Sequence, residues 1–188
     1  MTYFESSRLI FRDWKEEDLD VFRKMNCDKQ VMEYFPNTLS YGETDSFYQK
    51  IQEEFRQYGY GLFAVEIKNA NEFIGFIGFH WSRIDLGFGS FLEIGWRLKK
   101  EAWGKGFATE GAKECLSHEF DALGFSEVYS FTSKVNTRSE NVMKKIGMVK
   151  KLEFNHPEID PGSRLCKHVL YHITSLQYVE GLNARKTI

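Results

Sequence analysis

Cysteine is scarce in this chain of 188 residues: Cys27, Cys115 and Cys166 are odd in number, widely spaced and without a CxxC pair. That pattern fits neither a disulfide framework nor a zinc site and points to free thiols in a reducing compartment. Neither sign of charge is in large excess, with a formal net charge of -2 and a sequence pI of about 6.2. A general nucleic-acid binder needs a basic surface to neutralise phosphates, so this balance argues against one. It leaves room for a local basic site that takes one phosphorylated ligand. No apolar run approaches the length of a membrane span. The opening MTYFESSRLIF lacks a basic start followed by a long apolar stretch, so no signal peptide is expected. The expectation is a cytoplasmic protein whose partners include neither nucleic acid nor membrane. Repeats, low-complexity tracts and linkers are absent as well.

What is present reads as ordinary globular material. The length suits one compact domain over residues 1–188 with a sizeable core. Hydrophobic residues make up 42% and charged residues 28% of the chain, as globular domains do. Seventeen Phe is a high count; it implies a core or a ligand groove built of rings, without choosing between them.

Leu9 to Asp13 alternate like a half-buried strand. The segment KEEDLDVFRKMN, acidic first and basic last, places Leu19, Phe22 and Met25 on one helical face. A second short helix is expected from Asp28 to Phe35, stopped by Pro36. Ser40-Tyr41-Gly42-Glu43 has capping-box spacing, and Phe47, Ile51, Phe55 and Tyr58 continue a helix that Gly59 ends. Leu62 to Lys68 and Glu72 to Ile84, joined by Asn69-Ala70-Asn71, read as a hairpin. Phe91 to Leu98 reads as a strand and Phe107 to Leu123 as an amphipathic helix ending at Gly124. Glu127 to Thr132 is the next strand. A short helix from Thr137 to Ile146 and strands at Val149 to Phe154 and His168 to Thr174 follow. The fold class is mixed α/β or α+β with a single mixed sheet, and the crossover around residues 91–132 should be parallel and right-handed.

The chemistry sits in the turn Leu98-Lys99-Lys100-Glu101-Ala102-Trp103-Gly104-Lys105-Gly106-Phe107-Ala108-Thr109. Gly104 and Gly106 permit a tight turn and leave amides uncovered, and the following helix start adds free donors and a positive dipole end. Lys99, Lys100 and Lys105 add charge. The turn suits a pyrophosphate, although glycines often only punctuate structure. It is neither a Walker A loop, lacking GK[ST], nor a complete GxGxxG fingerprint.

From EIGWRLKKEAWGKGFATEGAKECL to NTRSENVMKKIGM, and again in ESSRLIFRDWKEEDLDVF, the chain resembles the GNAT superfamily of N-acetyltransferases. The resemblance is closest to its ribosomal-protein-alanine N-acetyltransferase-like branch. It implies a single domain with a mixed, mostly antiparallel seven-stranded sheet whose fourth and fifth strands splay, with acetyl-CoA in the gap. It places pantetheine on the main chain of the strand that carries Trp96, Arg97 and Leu98, and pyrophosphate on the amides from Gly104 to Thr109, beside Trp103. The family pattern has Gln or Arg three residues before the first glycine. Here that position is Glu101, whose side chain should turn to solvent. No metal is implied.

For the chemistry, an acceptor amine must lose a proton before it attacks a thioester. Glu93, mid-strand among Phe91, Leu92, Ile94 and Trp96, reads equally as a base raised in pKa by partial burial or as a salt-bridged surface carboxylate. His80 and Arg97 carry less weight as acid or base, and the Arg97 main-chain N–H is a candidate oxyanion donor. Where relatives often have a proton-donating Tyr, this chain has Met143. Ser139 is therefore the candidate donor to the departing thiolate, with first-turn capping as its other reading. Asn136 reads as a pantetheine partner, an N-cap, or both. Lys144 and Lys145 read as phosphate partners or as cations at a helix C-terminus. The resemblance thus implies direct acetyl transfer from acetyl-CoA to a primary amine in a ternary complex. The acceptor would be a protein N-terminus or a small amine, and the enzyme a monomer or homodimer. A non-catalytic acyl-CoA-binding module is the alternative.

Overall fold

Ser40 shows how directly this sequence writes its elements. Its hydroxyl accepts from the Glu43 amide while the Glu43 carboxylate accepts from the Ser40 amide, a closed capping box that starts α2 (Tyr41–Tyr58). Gly59, left-handed at φ 78°, ends it. The preceding helix α1 (Asp18–Cys27) starts acidic and ends basic, as expected. Between them the expected helix over 28–35 is replaced by consecutive turns. The Asp28 carboxylate accepts from the Gln30 amide at 2.7 Å, an Asx turn that competes with helix start.

The computed structural model describes residues 1–186. Its strands are β1 (Thr2–Glu5), β2 (Leu9–Arg12), β3 (Leu62–Ile67), β4 (Glu72–Ser82), β5 (Phe91–Leu98), β6 (Glu127–Ser133), β7 (Val149–Asn155) and β8 (Lys167–Thr174). Their order is β1-β2-β3-β4-β5-β6-β8-β7, an eight-stranded sheet where seven strands were expected. The addition is β1, four residues paired antiparallel with β2 and too short to show an alternation. The pairs β2–β3, β3–β4, β6–β8 and β7–β8 are antiparallel. The β5–β6 pair is parallel, with one register pair, Glu93↔Tyr129. The remaining helices are α3 (Phe107–His118), α4 (Thr137–Lys145) and α5 (Ser175–Lys186). Where α3 was expected to continue to Leu123, a π turn over Glu119–Leu123 follows it.

Contacts divide the chain into two compact units, Met1–His80 with Gly95–Cys115, and Trp81–Ile94 with Leu116–Ile188. In the first, Trp14, Phe22, Met25, Ile51, Leu62 and Phe76 form a core against which Phe47, Phe55 and Trp103 pack. Much of the Phe excess is therefore structural. Arg12 ties three elements together: it grips Asp18 of α1 in a two-pronged pair at 2.7 and 2.9 Å and Glu66 of β3 at 2.6 Å, all three buried. Helix α3 lies tightly on the sheet at Gly111, where a Cβ would fall 2.4 Å from Ile77 Cδ1.

In the second unit Phe91, Tyr129 and Leu170 form a core flanked by Ile84, Leu86, Phe131, Leu152 and Phe154. Cys27 is exposed, Cys115 and Cys166 are buried, and none of the three is in a disulfide among the described residues. Among the described residues no helix is long and apolar enough to cross a membrane.

Candidate active site

In the first unit, β5 hands the chain to α3 through a short 3-10 turn, Lys100–Ala102, and then the glycine turn. Gly104 and Gly106 are left-handed at φ 72° and 82°. A Cβ at Gly104 would meet nothing within 4 Å, and one at Gly106 only the Arg8 guanidinium at 3.5 Å. The backbone conformation, not crowding, therefore demands glycine at both positions. The helix ladder opens with the Glu110 amide on the Gly106 carbonyl at 2.9 Å, so the amides before it lie ahead of the first helical bond. Gly104, Lys105 and Gly106 are exposed. This is an exposed stretch of backbone at a helix start, where amides lack an intrahelical acceptor.

The surroundings hold the turn still. The Trp103 indole N–H donates to the Leu98 carbonyl at 2.8 Å, closing the loop on itself. Phe107 is buried with the Arg8 guanidinium 4.5 Å above its ring, while Ala108 and Thr109 are half-buried. Glu110 accepts from the Ser6 hydroxyl at 2.7 Å, the Arg8 amide at 2.8 Å and Arg8 Nε at 2.6 Å. Burial works to raise its pKa, but these donors outweigh it and hold the carboxyl below its usual range. Glu101 is exposed, and Lys99 pairs with Glu72.

Trp96, Arg97 and Leu98 belong to β5 in the same unit, with Leu98 buried and the other two half-buried. The Arg97 side chain turns to Asn26 of α1, donating from Nη1 to Asn26 Oδ1 at 2.7 Å. His80, at the limit of this unit, is half-buried near the end of β4.

In the second unit Glu93 is only 7% exposed and its carboxyl is hydrogen-bonded to the Ser82 side chain. Burial pushes its pKa up to about 8, against the opposing effect of Ser82. A place on a solvated face does not describe this buried side chain. Asn136, Ser139 and Lys144 come together on α4. Asn136 is the N-cap: Oδ1 accepts from the Ser139 amide at 3.2 Å and Nδ2 donates to Thr132 Oγ1 at 3.0 Å. The Ser139 amide is thus taken by the cap, and the residue is half-buried. Met143 is fully buried. Lys144 pairs with Glu140 one turn earlier at 3.0 Å, and Glu140 also accepts from the Tyr171 hydroxyl at 2.7 Å.

One buried acid escaped the sequence reading. Glu119, in the π turn, is fully buried, neither carboxyl oxygen has a hydrogen-bond partner among the described residues, and burial lifts its pKa to about 8. Its signal was helical spacing: Glu119 stands four residues after Cys115, three after Leu116 and four before Leu123, on the apolar stripe of the expected helix. Among the described residues no group of three or more His, Cys, Asp or Glu is placed to hold a metal ion.

A mixed sheet with a glycine-opened helix start after a central strand is the architecture on the page, and its class follows from similarity to known proteins. Residues 8–149 match the model of the acetyltransferase (GNAT) domain, and the chain belongs to that family. It is an acetyl-CoA-dependent N-acetyltransferase. It is 28% identical over 148 residues to the uncharacterized protein YkkB of Bacillus subtilis (strain 168), covering 78% of this chain and 85% of that one. The acetyltransferase (GNAT family) structure from Bacillus anthracis superposes with a TM-score of 0.75 at 25% identity, covering 92% of this chain and 98% of the other. The ribosomal-protein-S5-alanine acetyltransferase from Vibrio fischeri shares the fold at a TM-score of 0.70 and 19% identity, covering 92% and 96%.

Proposed function

We propose that this enzyme acetylates a primary amine by direct attack on acetyl-CoA, with Glu93 as general base and Ser139 as proton donor to the leaving sulfur. The whole chain would act as one transferase domain in the cytoplasm, where three free thiols are at home. The observation that carries the reading is the turn at Gly104 and Gly106: two left-handed glycines, exposed, opening the N-terminus of α3. Backbone donors of this kind fit a pyrophosphate.

Acetyl-CoA supplies an acetyl group activated as a thioester. Residues 104–109 hold its pyrophosphate through their amides, and Trp103 keeps the turn in shape. The Trp96, Arg97 and Leu98 main chain receives pantetheine as a strand edge receives a peptide. Glu93 in its ionised form takes the proton that the attacking ammonium must lose. The C–N bond forms as the C–S bond breaks; the Ser139 hydroxyl gives its proton to the departing sulfur and takes in its place the second proton shed by the nitrogen, so Ser139 ends neutral and Glu93 keeps the first proton. Asn136 supports this by capping α4 and fixing Ser139. Lys144 reaches phosphate only by leaving Glu140, so its contribution is small.

Thiol release with a panel of primary amines tests the proposal. Glu93→Gln is expected to lower kcat by about a hundredfold or more, and Ser139→Ala by about tenfold. Unchanged kcat in Glu93→Gln removes it as the base.

A further inference from the structure

Arg97 is built like a receptor, not like a strut. Its guanidinium carbon lies 4.3 Å from the ring centre of Phe35, 5.5 Å from that of Phe76 and 5.7 Å from that of Phe47. Among the described residues its one hydrogen-bond partner is Asn26, itself fully buried and held by Thr44 Oγ1 at 3.4 Å. No carboxylate of the described residues pairs with it. Contrast Arg12, which has two. Arg97 Nε is buried and donates to nothing.

The geometry of what is left over is specific. Asn26 occupies Nη1, so the free edge of the plane is the one formed by Nε and Nη2. Those two parallel N–H groups are the fork that binds a carboxylate with two hydrogen bonds. A buried donor left unpaired is destabilising, and native proteins rarely keep one unless a ligand or water completes it. Three aromatic rings flank the guanidinium and Nε is buried among them, where a charge pairing is stronger than in open water. Phe35, 41% exposed, forms the outer wall and lies on the turns between α1 and α2. The positive charge also disfavours polycations.

We infer that Arg97, held by Asn26 among Phe35, Phe47 and Phe76, is a subsite for a carboxylate carried by the amine acceptor. The acceptor is then a small amino acid-like or carboxylated amine, not a polyamine. This rests on the transferase reading above, because it gives the acceptor of that reaction its chemical class.

Calorimetry on the full chain tests it with product analogues: N-acetylglycine, N-acetyl-β-alanine and N-acetyl-4-aminobutyrate, each beside its neutral carboxamide twin. At least one carboxylate should bind tighter than its twin by about tenfold or more. Arg97→Met should bring that ratio close to one, and Arg97→Lys should leave it intermediate, which also serves if Arg97→Met does not fold. Equal binding of all twins by the wild-type protein overturns the inference, as does a preference that survives Arg97→Met. Arg97-dependent binding of inorganic phosphate without any carboxylate preference overturns it too. A parallel thiol-release assay separates the two claims. Amines acetylated without regard to a carboxylate leave the transferase standing and remove the subsite. Arg97-dependent carboxylate binding with no release from any amine does the reverse.

Discussion

Two glutamates show how burial turns a common side chain into a special one. At an ordinary surface Glu93 would be ionised throughout the neutral range. Buried in β5, its pKa rises to about 8, so the base form accumulates only as pH rises through that value. If Glu93 is the base, kcat/KM should climb about tenfold per pH unit below pH 8 and flatten above it. Glu93→Gln should erase the rising limb, as a pH–rate profile would show; an unchanged profile would assign the limb to the amine. Its position among Phe91, Leu92 and Ile94 made Glu93 legible in the sequence, because an acid inside an apolar strand is conspicuous. Glu119 was missed, although its spacing from Cys115 and Leu116 puts it on the apolar stripe of the expected helix; the polar His118 and Asp121 near it suggest a solvated face. The Arg97 box was hidden for another reason: Phe35, Phe47 and Phe76 are far apart in sequence and meet only in the fold.

Among the elements, local chemistry was readable wherever a short-range signal existed. The Ser40–Glu43 box, Gly59 and the start of α3 at Phe107 fell where spacing placed them, whereas the helix expected to run to Leu123 gives way to a π turn at Glu119. The 28–35 segment did not, because the Asp28 side chain supplies a competing local bond. β1 and α5 lacked a readable pattern: one is four residues long, the other weakly amphipathic. Ser40→Ala should lower unfolding free energy by about 1 kcal/mol, measured by urea titration. Removing Arg12 is a different matter, since it leaves Asp18 and Glu66 buried without their shared cation. Arg12→Met should cost about 3–5 kcal/mol or prevent folding; a loss under about 1 kcal/mol would show that water reaches the carboxylates. In the glycine turn, Gly106→Ala imposes a Cβ on a left-handed backbone at φ 82°. It should raise KM for acetyl-CoA several-fold with a smaller effect on kcat, and equal effects on both would argue that the turn does more than bind.

For the molecule as a whole, stability should depend on pH in an unusual direction. Glu93 and Glu119 both hold their protons to about 8 when folded, whereas a solvated glutamate gives its proton up near 4.5. Between those values the folded state retains protons that the unfolded chain releases. The stabilisation is therefore complete below about 4.5 and is lost as pH rises through about 8, each carboxyl costing roughly 1.4 kcal/mol for every pH unit crossed between the two. Glu119→Gln cannot ionise, so its Tm should fall less than that of the wild type between about pH 6 and 9. Parallel dependence of Tm on pH in the two proteins would show that burial does not raise the pKa of Glu119. The sheet itself was largely readable, seven strands of eight, and the family followed from motifs spread along the chain. The acceptor was not readable, because it is selected by side chains that converge from distant segments.

Cys27 has a practical consequence. It is the exposed thiol, while Cys115 and Cys166 are buried, and it directly follows Asn26, the amide that orients Arg97. A maleimide fluorophore or nitroxide should attach there at a stoichiometry of one to the native protein. The enzyme thus carries its own attachment point for a reporter beside the Arg97 box, and acceptor occupancy could be followed optically without introducing a cysteine.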